Sequence, residues 1–366
     1  MADSCPKCRG RDADGPAVVQ KCAEFLLPKS NISDGLLADV AVSKFVDHLP
    51  LNRQEKIIGR AGVDFSRSTL SGQVLLAARI LEDRLGSLFR SELMKSALLH
   101  IDETSLQVLR FSDVQSVKQA YMWLFKSTGD RPLLWYQYRP GRAGDFLKDF
   151  LSDFKGDILM DAYSAYESFA ADKDIRHFLC NAHARRNFFE ATKGLHEHIE
   201  AEEALHFYRT LYRIEARLKA WRANVSKMLY ARGRFSRKGF ALFHVWLLQQ
   251  EKDVLPGTKL HEAIRYALNH WQGLTLYLDH AHAAIDNNSA ESSIRPFVIG
   301  RKNWLFAGSQ RGARASALFY SLVQSAIANG LEPYWYLRYL FTQLPMTKSD
   351  EEILNLLPHR VTPPKA

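Results

Sequence analysis

Four cysteines in 366 residues are too few for a disulfide scaffold. No run of the chain approaches the roughly 18 consecutive apolar residues that a membrane span needs, and Met1-Ala2-Asp3-Ser4-Cys5 lacks the basic and apolar regions of a secretory signal. These absences exclude a stapled secreted domain and a membrane protein, and they lead to the expectation of a cytoplasmic one. The poverty in apolar residues that marks a disordered chain is absent too: 46% hydrophobic and 24% charged residues are an ordinary globular balance. At about 150 residues per domain the length accommodates two or three.

Positive charge is what the chain has in excess. Its 49 Lys and Arg outnumber 40 Asp and Glu, for a net +9, which favours a polyanionic partner. The excess is local. Between Ala201 and Phe240, Arg209, Arg213, Arg217, Lys219, Arg222, Lys227, Arg232, Arg234, Arg237 and Lys238 face only Glu202, Glu203 and Glu215, so +7 of the +9 falls in this stretch. Leu205, Tyr208, Leu211, Tyr212, Ile214 and Leu218 recur there at helical spacing, with Arg on the other faces. A solvated basic face is the plain reading, and contact with a DNA backbone is favoured over it because the charge exceeds what solubility requires.

Along the chain the hydrophobic period changes twice. Leu36 to Val46, Arg53 to Arg60 and Ser66 to Leu81 read as helices, with a Gly62 turn between the last two and Ser66 or Ser68 as N-cap. Helix, glycine turn, helix is the helix-turn-helix pattern, which ordinary core helix pairs share, and both readings stay open. From Ala97 three strands follow, at Leu98 to Thr104, Ala120 to Phe125 and Leu133 to Tyr138. Then come a helix from Ala143 to Phe154, a strand from Asp157 to Asp161, a short helix from Ser164 to Ala171, a strand from His177 to Cys180 and a helix from Asn181 to Lys193. Residues 194–280 carry no strand signal, and Ile285 to Arg295 opens a further helix. The order β-β-β-α-β-α-β-α predicts an α/β fold: a ribonuclease-H-like mixed sheet with a helical insertion, preceded by a small helical helix-turn-helix region.

Three carboxylates fall where such a sheet would gather them. Asp102 is read as ending the first strand, Asp161 ends the fourth, and Glu291 lies on the helix after the basic insertion. Glu103 is an alternative to Asp102, although strand alternation turns it to the other face. Carboxylates without His or Cys suit a hard, oxygen-seeking cation such as Mg²⁺ or Mn²⁺, and a pair of such ions serves in-line phosphodiester displacement. Taken singly, each carboxylate reads better as a turn, cap or surface residue, and it is their joint placement at two strand ends and a later helix that shifts the balance. Cys5 and Cys8 form a C-x-x-C knuckle, a partial Zn²⁺ half-site to which Cys22 would add a third ligand, while Cys180 reads as a buried small hydrophobe.

Asp102-Glu103-Thr104, Asp161-Ala162-Tyr163, His183-Ala184-Arg185-Arg186 and the run IDNNSAESSIRPFVIGRKNWLFAGS from Ile285 to Ser309 resemble the transposases of the insertion sequence 66 family. Leu49 to Gln54 and Ser66 to Leu70 are similar too, and the likeness runs from about Cys5 to Pro358. The resemblance implies a DDE-type catalytic domain with Asp102, Asp161 and Glu291 as metal-binding triad. It also implies movement of a mobile element, with 3′-hydroxyl ends attacking target DNA. Paired-end chemistry makes at least a homodimer the expected active form. The segments read as follows: 1–32 partly zinc-binding-like; 33–95 helix-turn-helix-like; 96–193 the first part of the catalytic core; 194–280 the basic insertion; 281–345 the second part of the core with Glu291; 346–366 a C-terminal tail.

Beside that triad, Arg185, Arg186, Arg295, Arg301 and Lys302 are placed to hold DNA phosphates. His183 is equally a hydrogen-bond partner near the site or a structural histidine. Asn287 and Asn288 are expected to cap the Glu291 helix, and Trp304, Leu305 and Phe306 to lie in the core. Two features depart from the family: Ser292 stands where Arg often follows the catalytic Glu, and Asp279-His280 where an Asp-Gly turn is usual. Met1 also precedes only one C-x-x-C pair, so a shortened copy is expected, with a second reading as a catalytically impaired DNA-binding protein. A nuclease of unrelated role is a third.

Overall fold

Strand β1, Leu98–Arg110, carries most of the architecture. The computed structural model describes residues 25–28, 30–110, 115–142, 145–162, 175–193 and 199–362. Among them β1 is the middle strand of a five-stranded sheet of order β3-β2-β1-β4-β5, with β2 at Gln115–Ser127, β3 at Leu134–Arg139, β4 at Asp157–Met160 and β5 at His177–Leu179. β1, β2 and β3 pair antiparallel, whereas β4 joins β1, and β5 joins β4, in parallel. The mixed sheet and strand order expected from the sequence are present. Cys5, Cys8, Cys22 and the helix expected at Ser164 to Ala171 lie outside the described residues.

Two expectations about the sheet and its first covering helix change. β1 runs six residues past Thr104 to Arg110, because its partner β2 is equally long and the pair stays in register from Leu99↔Ser127 to Val108↔Lys118. Asp102 therefore sits inside β1 rather than at its end. The helix expected over Ala143 to Phe154 is short, α4 at Asp145–Phe150, and its Phe146 and Phe150 pack on Trp123 and Phe125 of β2.

Helices cover both faces of the sheet. Three precede it: α1 (Asp34–Phe45), α2 (Leu51–Arg60) and α3 (Arg67–Leu93), the last N-capped by the Ser66 side chain. Gly62 takes φ +82 in the α2–α3 turn, a conformation that costs glycine little. The expected turn and cap are there, yet α3 buries Leu70, Val74, Ala77, Leu81, Leu85, Phe89 and Leu93, and Phe89 packs on Trp135 of β3. This helix is built into the core along its length.

The first element after β5 is α5, Asn181–Ala191. A helical stretch of α6 (Ile199–Ala220), α7 (Val225–Ala231), a π-helical turn (Arg232–Ser236), α8 (Arg237–Asp253), α9 (Lys259–Asn269) and α10 (Trp271–Thr275) follows. Their apolar faces, with β5, form a second core around Phe178, Phe188, Tyr208, Phe243 and Ile264. One member of the basic stretch is structural: buried Arg232 pairs with Glu215 at 2.8–2.9 Å and donates to the carbonyls of Tyr277, His280 and Ala283. Its nine companions between Ala201 and Phe240 are exposed. At the unusual Asp279-His280 pair, the Asp279 carboxylate is engaged by Arg237.

Helix α11, Asn288–Trp304, returns to β1; α12 (Gln310–Ala328), α13 (Pro333–Gln343) and α14 (Asp350–Leu354) complete the fold. α12 seals the free edge of β3, where Ser325 Oγ accepts from the Leu134 N–H at 2.9 Å and Ser321 Oγ from that of Tyr136 at 2.7 Å. The i, i+4 spacing of the two serines matches the two-residue repeat of the strand, so hydroxyls stand in for a sixth strand. Beyond α11, Leu305 adopts φ +65, and Ala307 bridges to Val108 at the far end of β1. Of the residues expected in the core there, Trp304 packs against it, but Leu305 is 62% and Phe306 42% exposed, because the turn that brings Ala307 to β1 throws both outward.

Gly300 of α11 has no space for a side chain: a Cβ would overlap the Tyr320 hydroxyl and crowd Trp304 and His48. Gly300→Ala should lower stability by about 1–3 kcal/mol in denaturant unfolding through overpacking. Gly59→Ala, with open space in α2, should be neutral or gain up to about 1 kcal/mol from helix propensity.

Candidate functional site

The parallel register pairs Leu98 with Asp157, Leu99 with Ile158 and His100 with Leu159. Carried two residues further, it sets Asp161 level with Asp102, at the point where β4 ends and β1 continues with β2 as its strand partner. Burial raises the Asp102 carboxyl, and the charge of Glu103 raises it further. The Glu103 N–H, donating at 2.9 Å, opposes both, and the charges of Glu291 and Asp161 add to the rise; the group is pushed up to about 7. The same like-charge repulsion identifies Asp161 and Glu291 as its electrostatic neighbours.

Glu103 faces away from Asp102, as alternation requires, and is held by Arg142 at 2.5–2.7 Å. Arg142 also lies 4.0 Å from Asp161 and so links the two faces of the acidic cluster. No periodicity singles it out, since it stands in the turn after β3. Asp157, at the other end of β4, is a structural carboxylate, buried between Arg176 at 2.9–3.0 Å and His282 at 2.8 Å.

Glu291 reaches this place because of Asn287. The expectation that Asn287 caps α11 with its side chain is overturned: the side chain makes no capping bond, is 2% exposed and points into the sheet. Its Oδ1 accepts from His100 Nδ1 at 2.8 Å, and its Nδ2 donates to the Ile101 carbonyl at 2.7 Å. Burial holds His100 down to about 4, so it stays neutral and keeps this pairing. Asp286 takes over at the helix start, its Oδ1 accepting from the Asn288 N–H at 3.1 Å and its Oδ2 from Asn288 Nδ2 at 2.7 Å. One turn on from Asn287, Glu291 is brought beside Asp102. The other end of α11 is pinned by Arg301, which donates to Thr104 Oγ1 at 3.1 Å and to the Ser105 carbonyl.

The carboxylate of Glu291 is oriented by α5. Arg186 Nη2 lies 3.3 Å from Oε2, and His183 Nδ1 lies 3.7 Å from Oε1, beyond hydrogen-bond reach. Cys180 is buried as expected, and its Sγ accepts from the Asn287 N–H at 3.2 Å. Among the described residues, the group of three metal-ligating side chains whose donor atoms all lie within 4.8 Å of one another is Cys180, His183 and Glu291. Glu291 is thus a Coulombic neighbour of Asp102 and at the same time lies within 4.8 Å of the donor atoms of His183 and Cys180. The C-x-x-H spacing of Cys180 and His183 was the available sequence signal for this second grouping.

The residues present suit a hard divalent cation. The neighbouring negative charges that help raise the Asp102 carboxyl would be relieved by a cation, and Oε1 of Glu291 is buried with no hydrogen-bond partner among the described residues. Arg185, Arg186, Arg295 and Lys302 are exposed, and among them Arg186 contacts Glu291; Ser292, next to Glu291 in the chain, is exposed. Arg301 is engaged with β1 instead. No helix among the described residues is long and apolar enough to cross a membrane.

Two family models match the chain: Transposase IS66 family over residues 29–315, and IS66 C-terminal element over residues 321–359. The chain is also similar to curated proteins of Sinorhizobium fredii. With uncharacterized protein y4qI it shares 32% identity over 378 residues, covering 98% of this chain and 68% of that protein. With uncharacterized protein y4hP it shares 30% over 341 residues, covering 87% and 61%, and with uncharacterized protein y4jD 31% over 318 residues, covering 82% and 60%. The chain thus spans from 60% to 68% of the length of these relatives.

The geometry predicts two stability effects. In chelator-treated buffer, a carboxyl raised from its ordinary value to about 7 binds its proton more tightly when folded. Stability therefore falls as pH rises through that window, by about 1.4 kcal/mol per pH unit. Asp102→Asn should be more stable than the parent at pH 8, with the gap closing towards pH 4, in urea unfolding at both. Asn287→Ala, which strands His100 Nδ1 and the Ile101 carbonyl, should cost about 1–3 kcal/mol at either pH.

Proposed function

The chain belongs to the IS66 transposase family, and from that membership we propose that it catalyses metal-dependent cleavage and transfer of DNA strands during transposition of an insertion sequence. Asp102, Asp161 and Glu291 are its acidic triad. The observation that carries this reading is geometric: the parallel register sets Asp161 level with Asp102, and Asn287 ties the start of the helix bearing Glu291 to the same stretch of β1. A strand Asp, an Asp level with it on the parallel neighbour and a Glu on a later helix, set on three antiparallel strands followed by two parallel ones, also support a ribonuclease-H-like reading of the sheet.

Asp102, Asp161 and Glu291 would hold Mg²⁺ or Mn²⁺, which supplies Lewis-acid polarisation of the scissile phosphate and a deprotonated oxygen nucleophile at neutral pH. The protein's own part is placement. Asn287 and Arg301 lock the helix bearing Glu291 against β1, and Arg142 fixes Glu103 and steadies Asp161. Exposed Arg185, Arg186, Arg295 and Lys302 are positioned to hold phosphates flanking the site, and Arg186 also orients Glu291. The exposed basic residues of the insertion would hold DNA across the acidic site, with at least two copies needed to join paired ends.

Asp161→Asn, isosteric and facing Arg142, should reduce Mn²⁺-dependent nicking of element-end DNA by at least about 100-fold, in line with loss of charge stabilisation at a reacting centre. Its unfolding midpoint should stay close to the parent's. Undiminished nicking by this variant would remove Asp161 from the site. Asp157→Asn should behave in the opposite way: it weakens the buried contacts to Arg176 and His282, and its measurable effect should be on stability.

A further inference from the structure

Cys180, His183 and Glu291 combine a thiol, an imidazole and a carboxylate, a donor set unlike that of the triad. Cys180 directly precedes α5 and His183 lies in its first turn, so the C-x-x-H spacing places both side chains at one helix end. Asn181 anchors that end, its Nδ2 donating to the carbonyls of Leu274 at 2.9 Å and Ile285 at 3.1 Å. Glu291 comes in from α11, with Oε2 held by Arg186 and Oε1 turned towards His183.

Two of the three donor atoms, His183 Nδ1 and Glu291 Oε1, are buried and make no hydrogen bond among the described residues. They face each other at 3.7 Å, too far for a hydrogen bond. That separation suits two ligands of one tetrahedral ion, since bonds of about 2.0–2.3 Å at tetrahedral angles put donor atoms roughly 3.3–3.8 Å apart. The third donor, Cys180 Sγ, lies within 4.8 Å of both. It receives the Asn287 N–H at 3.2 Å, a backbone contact of the kind that supports a metal-bound thiolate.

We propose that Cys180 Sγ, His183 Nδ1 and Glu291 Oε1 form a binding site for a thiophilic divalent cation of the zinc type, with a fourth position left for water. Sulfur and imidazole nitrogen select such an ion over Mg²⁺. Binding releases the thiol proton to solvent, and the cation's charge offsets the burial that otherwise favours the neutral thiol. Glu291 is shared with the acidic triad, so occupancy of this site holds it on the α5 side. That consequence rests on the transposase reading, whereas the site itself does not.

Co²⁺, added to the full chain carrying Cys5→Ser, Cys8→Ser and Cys22→Ser, tests the site optically with Cys180 as the sole thiol. The expected result is a near-ultraviolet thiolate-to-cobalt charge-transfer band that saturates at one equivalent and is abolished by one equivalent of Zn²⁺. Cys180→Ser should eliminate the band, and His183→Ala and Glu291→Gln should each weaken Co²⁺ binding at least about 10-fold, while Asp161→Asn should leave the band in place. His183 and Glu291 are partly exposed, so their variants decide the matter even if Cys180→Ser fails to fold. Absence of the band from the parent, or unchanged affinity in both His183→Ala and Glu291→Gln, overturns the site. Neither DNA nor cleavage enters the readout, so its failure leaves the transposase reading standing, and loss of nicking activity would leave the site standing.

Discussion

The side chain of Asn287 joins two parts of the chain that lie 187 residues apart, and the placement of Glu291 depends on that junction. A buried amide with one acceptor bond from His100 and one donor bond to the Ile101 carbonyl has a single acceptable position, because any slip leaves polar groups unpaired at about 1–3 kcal/mol each. The start of α11 is therefore fixed along β1 to within one residue. Glu291 follows one turn later and comes to rest opposite Asp102. Since β1 and β4 share their register, the same junction indirectly aligns Glu291 with Asp161.

The alignment brings negative groups together in a half-buried place, which opposes folding. Asp102 bears that cost most visibly, and the rest of the molecule offsets it by ordinary means: a long β1–β2 pairing, aromatic packing of α4 on β2, and an edge strand sealed by Ser321 and Ser325. Arg142 and Arg186 limit the repulsion at two points, on Glu103 with Asp161 and on Glu291. A cluster whose members destabilise one another, held in register by a well-satisfied scaffold, is the usual state of a site kept for chemistry.

Much of this was legible in the residues. The five strands announced themselves as apolar runs, Asp102 and Asp161 stood out as carboxylates closing two of those runs, and Glu291 stood out on the helix that follows the basic insertion. What stayed hidden depends on long-range pairing. That Asp102 lies within β1 follows from the length of β2, and nothing in Leu98 to Thr104 encodes it. Asn287 looks like a helix cap in any local reading, since only the packing of α11 on β1 turns its side chain inward. Arg232 counted among the DNA-facing charges until Glu215 and three carbonyls closed around it, and Leu305 with Phe306 read as core until a positive-φ turn exposed them. The spacing of Cys180 and His183 was visible in the sequence, but its partner Glu291 lies more than a hundred residues on.

The proposed reaction is the cutting of DNA ends and their joining to a target through the acidic cluster. Incubating the intact protein with end-labelled element DNA, a target plasmid and Mn²⁺, and resolving the products under denaturing conditions, tests it most directly. Labelled 3′ ends covalently joined to the plasmid are the expected products. Element ends that are bound but neither nicked nor joined, with Mg²⁺ or with Mn²⁺, would contradict it.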